Sequence, residues 1–218
     1  MLDDRTSQAQ EQDFDSSVNS PATKAEQIQD LVNSLTSNYR EASRSKPSRG
    51  LKANLRGRDL PGHDLGLYES WLAEAHGYFR KVSQQKLSLT LASDWVLDNY
   101  YIIRQALLQI EEDLPSGFYK QLPKLTSGPL IGLPRIYAIA RAAISYQHFL
   151  LDPIELQTIL IQFQEQVPLT MGELWALPIF LRYSLIEFLA YALVSAIRPV
   201  NPPKLPPVVP QLAGIGDP

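Results

Sequence analysis

Two closely spaced helix starts within residues 152–190 constrain this chain more than any other feature. Asp152-Pro153-Ile154-Glu155 sets an aspartate at the N-cap, a proline at the first helical position and a glutamate at N3. The aspartate can accept from free backbone N–H groups, the glutamate can reach back to the cap, and proline has no N–H to leave unpaired. Thr170-Met171-Gly172-Glu173 repeats the capping box before a longer apolar run. Between them, Gln166-Val167-Pro168 ends the first helix, because a residue before proline avoids the α region. The pattern predicts a helical hairpin with a short turn and a second arm too apolar for a solvent-exposed helix. Neither arm carries a recognisable catalytic set.

The second arm, residues 174–197, is long enough to span a bilayer, but Pro178, Arg182 and Glu187 interrupt it. Each central charge costs about 2.5–3.5 kcal/mol on insertion scales. Leu177, Leu181, Leu185, Phe188 and Leu189 form a face that a globular core could take up. The expectation is a buried helix bent, not broken, at Pro178.

Upstream, apolar residues recur at helical spacing. Thr23-Lys24-Ala25-Glu26 is a third capping box, followed by Ile28, Leu31, Val32, Leu35 and Tyr39, an amphipathic helix expected to pack within the chain. Leu65, Tyr68, Leu72, Ala75, Phe79 and Val82 form one buried stripe, widened by Trp71. From about residue 91 to 110, Trp95, Ile102, Ile103, Ala106, Leu107 and Ile110 lie on one side with Asn99, expected to be a buried hydrogen-bonding hub. Glu111-Glu112-Asp113-Leu114-Pro115 closes that helix against the macrodipole, so compensation by Lys120, Lys124 or Arg135 is expected. Residues 135–149 form an Ala-rich helix with Pro134 in its first turn. The fold class is therefore all-α: one bundle-like domain of about six helices over residues 64–197. Residues 1–22 form a polar, disordered tail, 23–63 the amphipathic helix plus a basic linker, and 198–218 a proline-rich, polyproline-like tail.

Chemistry is excluded more readily than assigned. With no cysteine among 218 residues there is no disulfide, thiolate nucleophile or Cys-based zinc site. His63, His76 and His148 have no partner at metal spacing, and no GxGxxG, Walker lysine loop or GxSxG elbow occurs. No metal or cofactor is expected. Asp13-Phe14-Asp15 spells a DxD but sits in the polar tail, away from the strand end that such a metal clamp needs. Glu111, Glu112 and Asp113 are adjacent on one helix end and do not face each other as glycosidase acids must. The net charge of −3 argues against nucleic acid as partner. Residues 40–58 are basic, with Arg40, Arg44, Lys46, Arg49, Lys52, Arg56 and Arg58 against Glu41. They read as a solvated linker with membrane contact through anionic headgroups as the functional option. The N-terminal residues lack an apolar signal core, so a cytoplasmic chain is expected, with the inner face of the plasma membrane as the alternative location.

Several segments in fixed order resemble a known family. They are Trp95 with Asp98-Asn99, residues 112–119, Leu122-Pro123-Lys124-Leu125, Gly128-Pro129-Leu130 with Gly132-Leu133-Pro134-Arg135, and residues 168–178, PLTMGELWALP. Together they resemble the N-terminal region of cyclic β-1,2-glucan synthases over residues 65–197. The resemblance implies a helical segment upstream of a transferase in a very large inner-membrane enzyme. Such enzymes polymerise glucose from UDP-glucose on a protein-linked primer, trim the chain with a phosphorylase-like domain and cyclise it. The transferase and phosphorylase-like domains have no counterpart here, so the family's catalytic residues carry over to no position and the chain alone is expected to be inactive.

The first expectation is thus a non-catalytic module, or truncated copy, that scaffolds or regulates the catalytic part of a glucan synthase. Its contact candidates are Glu112, Asp113, Tyr119, Arg135, Glu173, Trp175 and Arg182, with pairing among themselves as the structural alternative. A second expectation is a carbohydrate-binding module that stacks β-glucan on Trp95, Tyr100, Tyr101, Tyr119 and Trp175 in one groove. A third is a membrane-docking adaptor.

Overall fold

A computed structural model describes residues 21–43, 61–85, 90–128 and 130–205. These residues form seven helices, six of them at segments whose periodicity predicts one. They are α1 (Pro21–Tyr39), α2 (Pro61–Gln84), α3 (Leu91–Asp113), α4 (Ser116–Gln121), α5 (Arg135–Tyr146), α6 (Pro153–Gln166) and α7 (Met171–Ile197). The additional helix is α4, a single short piece where the sequence reads as loop. Two short strands, β1 (Ala42–Ser43) and β2 (Lys124–Leu125), pair antiparallel with Ala42 opposite Leu125, a bridge that periodicity over two residues cannot announce. The DxD and the whole of the basic segment beyond Ser43 lie outside the described residues.

The helix α7 sits at the centre, touching α5 on one side and α2 and α3 on the other, while α1 packs on α5 and α6. That position explains its composition. A helix flanked on several sides must be apolar around most of its circumference. Ala176, Ile179, Phe180, Tyr183, Ile186, Ala190 and Leu193 are buried along it. The face expected to enter the core is only partly inside: Leu181 is buried, whereas Leu177, Phe188 and Leu189 are half-buried and Leu185 is exposed. The helix runs through Pro178 without interruption. Among the described residues it is the helix long and apolar enough to cross a membrane, and 56% of its apolar window is buried inside the fold.

Aromatic rings lock α7 to its neighbours. Tyr183 meets Tyr68 of α2 edge-on at 5.9 Å and Tyr137 of α5 at 5.8 Å. The Trp71 indole N–H donates to the Ala190 carbonyl at 2.9 Å, which satisfies the one polar atom of a side chain that is 3% exposed. Ile28, Leu31, Val32, Leu35 and Tyr39 of α1 enter the same continuous core.

The helix starts show which local signals dominate. Asp152 caps α6 by accepting from Ile154 N–H at 2.8 Å and Glu155 N–H at 3.4 Å, with Pro153 at the first position. Glu155 does not reach back; it pairs with Lys24 of α1, and the Gln147 side chain accepts from the Asp152 N–H instead. At α7 the box is complete: Thr170 Oγ1 accepts from Glu173 N–H at 3.3 Å and Glu173 Oε2 accepts from Thr170 N–H at 2.9 Å. Helix α1 begins at Pro21, so Thr23 falls inside its first turn. Helix α5 stops at Tyr146, before the expected end, because His148 and Phe149 turn left-handed at φ 49° and 65°.

Candidate functional site

Two buried ion pairs cross the seam between α5 and α7. Arg135 opens α5 and Glu173 stands in the first turn of α7, fully buried. The guanidinium donates Nε to Oε1 and one terminal nitrogen to Oε2, each at 2.8 Å, a bidentate fork. Its remaining N–H groups reach the carbonyls of Pro168 at 3.1 Å and Arg40 at 3.4 Å, tying the ends of α6 and α1 to the same point. Oε2 of Glu173 also accepts from the Thr170 hydroxyl at 3.0 Å. Four donors thus converge on this carboxylate, one on Oε1 and three on Oε2, and it joins α5 to the start of α7.

Deeper along the seam, Glu187 accepts from Arg141 Nε at 3.2 Å and from the Tyr137 hydroxyl at 3.0 Å. Burial pushes its pKa up, and the Arg141 charge together with hydrogen bonds from Tyr137 and Arg141 only partly offsets that. Burial first, and the Glu187 charge second, hold the Tyr137 hydroxyl well above its ordinary value. The Arg141 guanidinium also lies over the Phe188 ring at 4.9 Å, and the buried Tyr39 hydroxyl on α1 is pushed up to about 12. The sequence reading missed this group. Its signal was present: two arginines in an Ala-rich helix and two glutamates in an apolar one.

The other candidates separate into surface and interior. Tyr119 is buried, with the Lys124 ammonium 4.4 Å above its ring, and it leaves the surface set. Asp113 and Arg182 pair at 3.2 Å with side chains 51% and 38% exposed. Arg182, not Lys120, Lys124 or Arg135, is therefore the cation that meets the acidic end of α3. Glu112 is exposed beside it.

Trp175 is 69% exposed and belongs to a solvent-facing stripe on α7. Met171, Trp175, Pro178, Arg182 and Leu185 follow in alternating steps of four and three, and all but the half-covered Arg182 are exposed. That spacing places the five side chains along one face of the helix. A Cβ placed at Gly172 would lie 3.8 and 3.9 Å from the side chains of Leu122 and Phe118, so α4 and its C-cap flank the first turn of α7.

The aromatic groove expected of a carbohydrate module does not form as one set. Trp95 and Tyr101 are exposed at 50% and 66%, yet they sit six residues apart on different faces of α3. Tyr100 is half-buried and stacks on His76 at 4.1 Å. The buried stripe of α3 runs through Val96, Ile103, Leu107 and Ile110, so Trp95 and Ile102 face outward. Asn99 is half-buried and donates only to the Trp95 carbonyl within its own helix, at 2.9 Å; it is not a hub. A separate open cleft of about 360 Å³ lies between α2 and the end of α7, lined by Trp71, Glu74, Tyr78, Arg198 and Val200 among others. Among the described residues no three His, Asp or Glu side chains group as a metal site.

No protein-family model matches the chain. Over 101 residues it is 40% identical to the cyclic beta-(1,2)-glucan synthase NdvB of Rhizobium meliloti (strain 1021). The match takes in 46% of this chain and 4% of that protein. The chain thus carries a region related to a cyclic glucan synthase and spans only a small part of that relative's length.

Proposed function

We propose that this chain is a non-catalytic helical module of cyclic β-1,2-glucan synthesis, which holds or regulates the catalytic part of a UDP-glucose-dependent synthase. The observation that carries the reading is the related 101-residue stretch, taken with the exposed α7 stripe. The buried acids of the seam are each paired with an arginine of α5, Glu173 with Arg135 and Glu187 with Arg141, and on this reading they are joints of the scaffold. The apolar stripe around Trp175, with Glu112 and the Asp113–Arg182 pair beside it, is the contact surface for the synthase partner. A helix laid along Met171, Trp175 and Leu185 would cover side chains that water now meets. Its place of work is the membrane that holds the transferase, on the cytoplasmic side.

The test is genetic and quantitative. In cells lacking this chain, the yield or size distribution of cyclic glucan changes, and a wild-type copy restores it. A Trp175→Glu copy, folded to the same helical content, fails to restore it. Full restoration by that variant removes the α7 stripe from the account. A carbohydrate-binding reading is favoured by one observation, the α2–α7 cleft, which sets the half-exposed Tyr78 ring beside Glu74 and Arg198. Calorimetric titration with linear β-1,2-glucan separates the two readings, with Tyr78→Ala abolishing the heat only in the second.

A further inference from the structure

The cleft between α2 and the end of α7 brings together two opposite charges that find no partner among the described residues. Its volume of about 360 Å³ falls within the range of small-molecule sites. Trp71, Glu74 and Tyr78 line it from α2, and Ile197, Arg198 and Pro199 from the end of α7 and the chain beyond. Glu74 and Arg198 are both exposed, and among the described residues neither side chain takes part in an ion pair or hydrogen bond. The other charges of this region, Glu69, Arg80 and Lys81 on α2 and Lys204 after α7, are not lining residues.

The walls decide what kind of charge each end receives. Trp71 spends its indole N–H on the Ala190 carbonyl at 2.9 Å, so what it offers the cleft is ring surface. Tyr78 adds a second ring, 47% exposed. Helix α7 ends here with no basic residue in its last turn, which leaves the negative end of its dipole uncompensated on the helix itself. Rings, a carboxylate and a helix C-terminus together favour a cation. The apolar side chains of Ile197 and Pro199 offer that cation no hydrogen-bond acceptor, which selects a weakly hydrated one. A quaternary ammonium meets the condition, and aromatic faces attract it through the ring quadrupole.

Arg198 supplies the opposite end. It is the C-cap of α7 in left-handed backbone, φ 48°, with its N–H on the Val194 carbonyl at 2.9 Å. Its guanidinium suits a carboxylate or phosphate, which it grips through paired N–H donors. An anion alone would meet Glu74, and a cation alone would meet Arg198; a ligand carrying both signs engages each. We propose that the α2–α7 cleft binds a small zwitterion, with its quaternary ammonium against Tyr78 and Glu74 and its oxyanion on Arg198. Phosphocholine, as a free molecule or as a lipid headgroup, is the simplest ligand of that chemistry.

Phosphocholine is titrated calorimetrically into the full chain, and the wild type binds it. Glu74→Gln and Arg198→Asn each weaken binding by about tenfold or more at unchanged helical content. Both positions are exposed, and asparagine tolerates left-handed backbone. Tyr78→Ala weakens binding as well, whereas Tyr78→Phe keeps the ring and the affinity. Choline chloride and inorganic phosphate, each with one of the two charges, bind more weakly than phosphocholine. Co-sedimentation with phosphatidylcholine vesicles, reversed by free phosphocholine, assigns the ligand to a lipid surface; uptake of the free compound without vesicle binding assigns it to a soluble molecule. Trp175→Glu leaves the titration unchanged, so failure of the α7 stripe and failure of this site are read separately. A folded wild type that gives no heat with phosphocholine overturns the proposal, as does binding indifferent to Glu74→Gln combined with Arg198→Asn. Heat with linear β-1,2-glucan and none with phosphocholine gives the cleft to a neutral sugar and overturns it too.

Discussion

Replacing Glu173 by alanine tests the seam between α5 and α7 at its most heavily bonded point. The substitution leaves Arg135, 5% exposed, with only the carbonyls of Arg40 and Pro168 to accept from it. Breaking a buried pair by removing one partner costs about 3–5 kcal/mol, because the remaining charge is buried without compensation. The same carboxylate closes the capping box at Thr170, so the loss belongs at the upper end of that range. The exposed Asp113–Arg182 pair supplies the internal control. Asp113→Ala there costs no more than about 1 kcal/mol, since solvent already screens the pair. Urea unfolding followed by circular dichroism gives both numbers. Replacing both partners, Arg135→Met with Glu173→Leu, recovers much of the loss because no charge is left stranded. If Glu173→Ala is no worse than Asp113→Ala, or the double variant is worse than either single one, the seam is not held by this pair.

Three further outcomes follow from other parts of the fold. Glu187 has a raised pKa, so the native state keeps its proton where the unfolded chain has lost it; stability from this group falls as pH climbs above 4.5 and levels off above the native value. Glu187→Gln removes that slope from a pH series of unfolding midpoints. Asp152→Ala removes the cap of α6 and costs about 0.5–2 kcal/mol in urea unfolding, whereas Asp152→Asn costs less. Trp175→Ala, at a position 69% exposed, shifts stability by no more than about 0.5 kcal/mol in the same assay.

The parts of the fold legible in the sequence are those fixed over short range. Asp152 and Thr170 start their helices because a cap needs only its own next three residues, and Val167-Pro168 ends α6 for an equally local reason. Apolar periodicity found the cores of α1 and α2, and in α3 it found Ile103, Leu107 and Ile110 but wrongly added Trp95 and Ile102; in α7 only Leu181 of the expected face is buried. In α3 the arcs of Trp95 and Ile102 and of Val96 and Ile103 adjoin, and only the position of α2 and α7 decides which one is covered. In α7 the apolar residues run nearly all round, so no arc is singled out until the neighbours are in place. Arg135 and Glu173 were legible as charges in need of partners, and pairing within the chain was among the expected arrangements. That they choose each other across 38 residues is a property of tertiary packing. Glu187 read as an interruption of an apolar run, when Arg141 and Tyr137 had already been placed to receive it.

The central claim is that this chain serves a glucan synthase without transferring glucose itself. Its most direct measurement is glucose incorporation from radiolabelled UDP-glucose into β-1,2-glucan, by the purified chain alone and by synthase-containing membranes with and without added chain. The account predicts no incorporation by the chain alone and an altered rate or product length when it is added to the membranes. Incorporation by the isolated chain, or membranes indifferent to its presence, would contradict it.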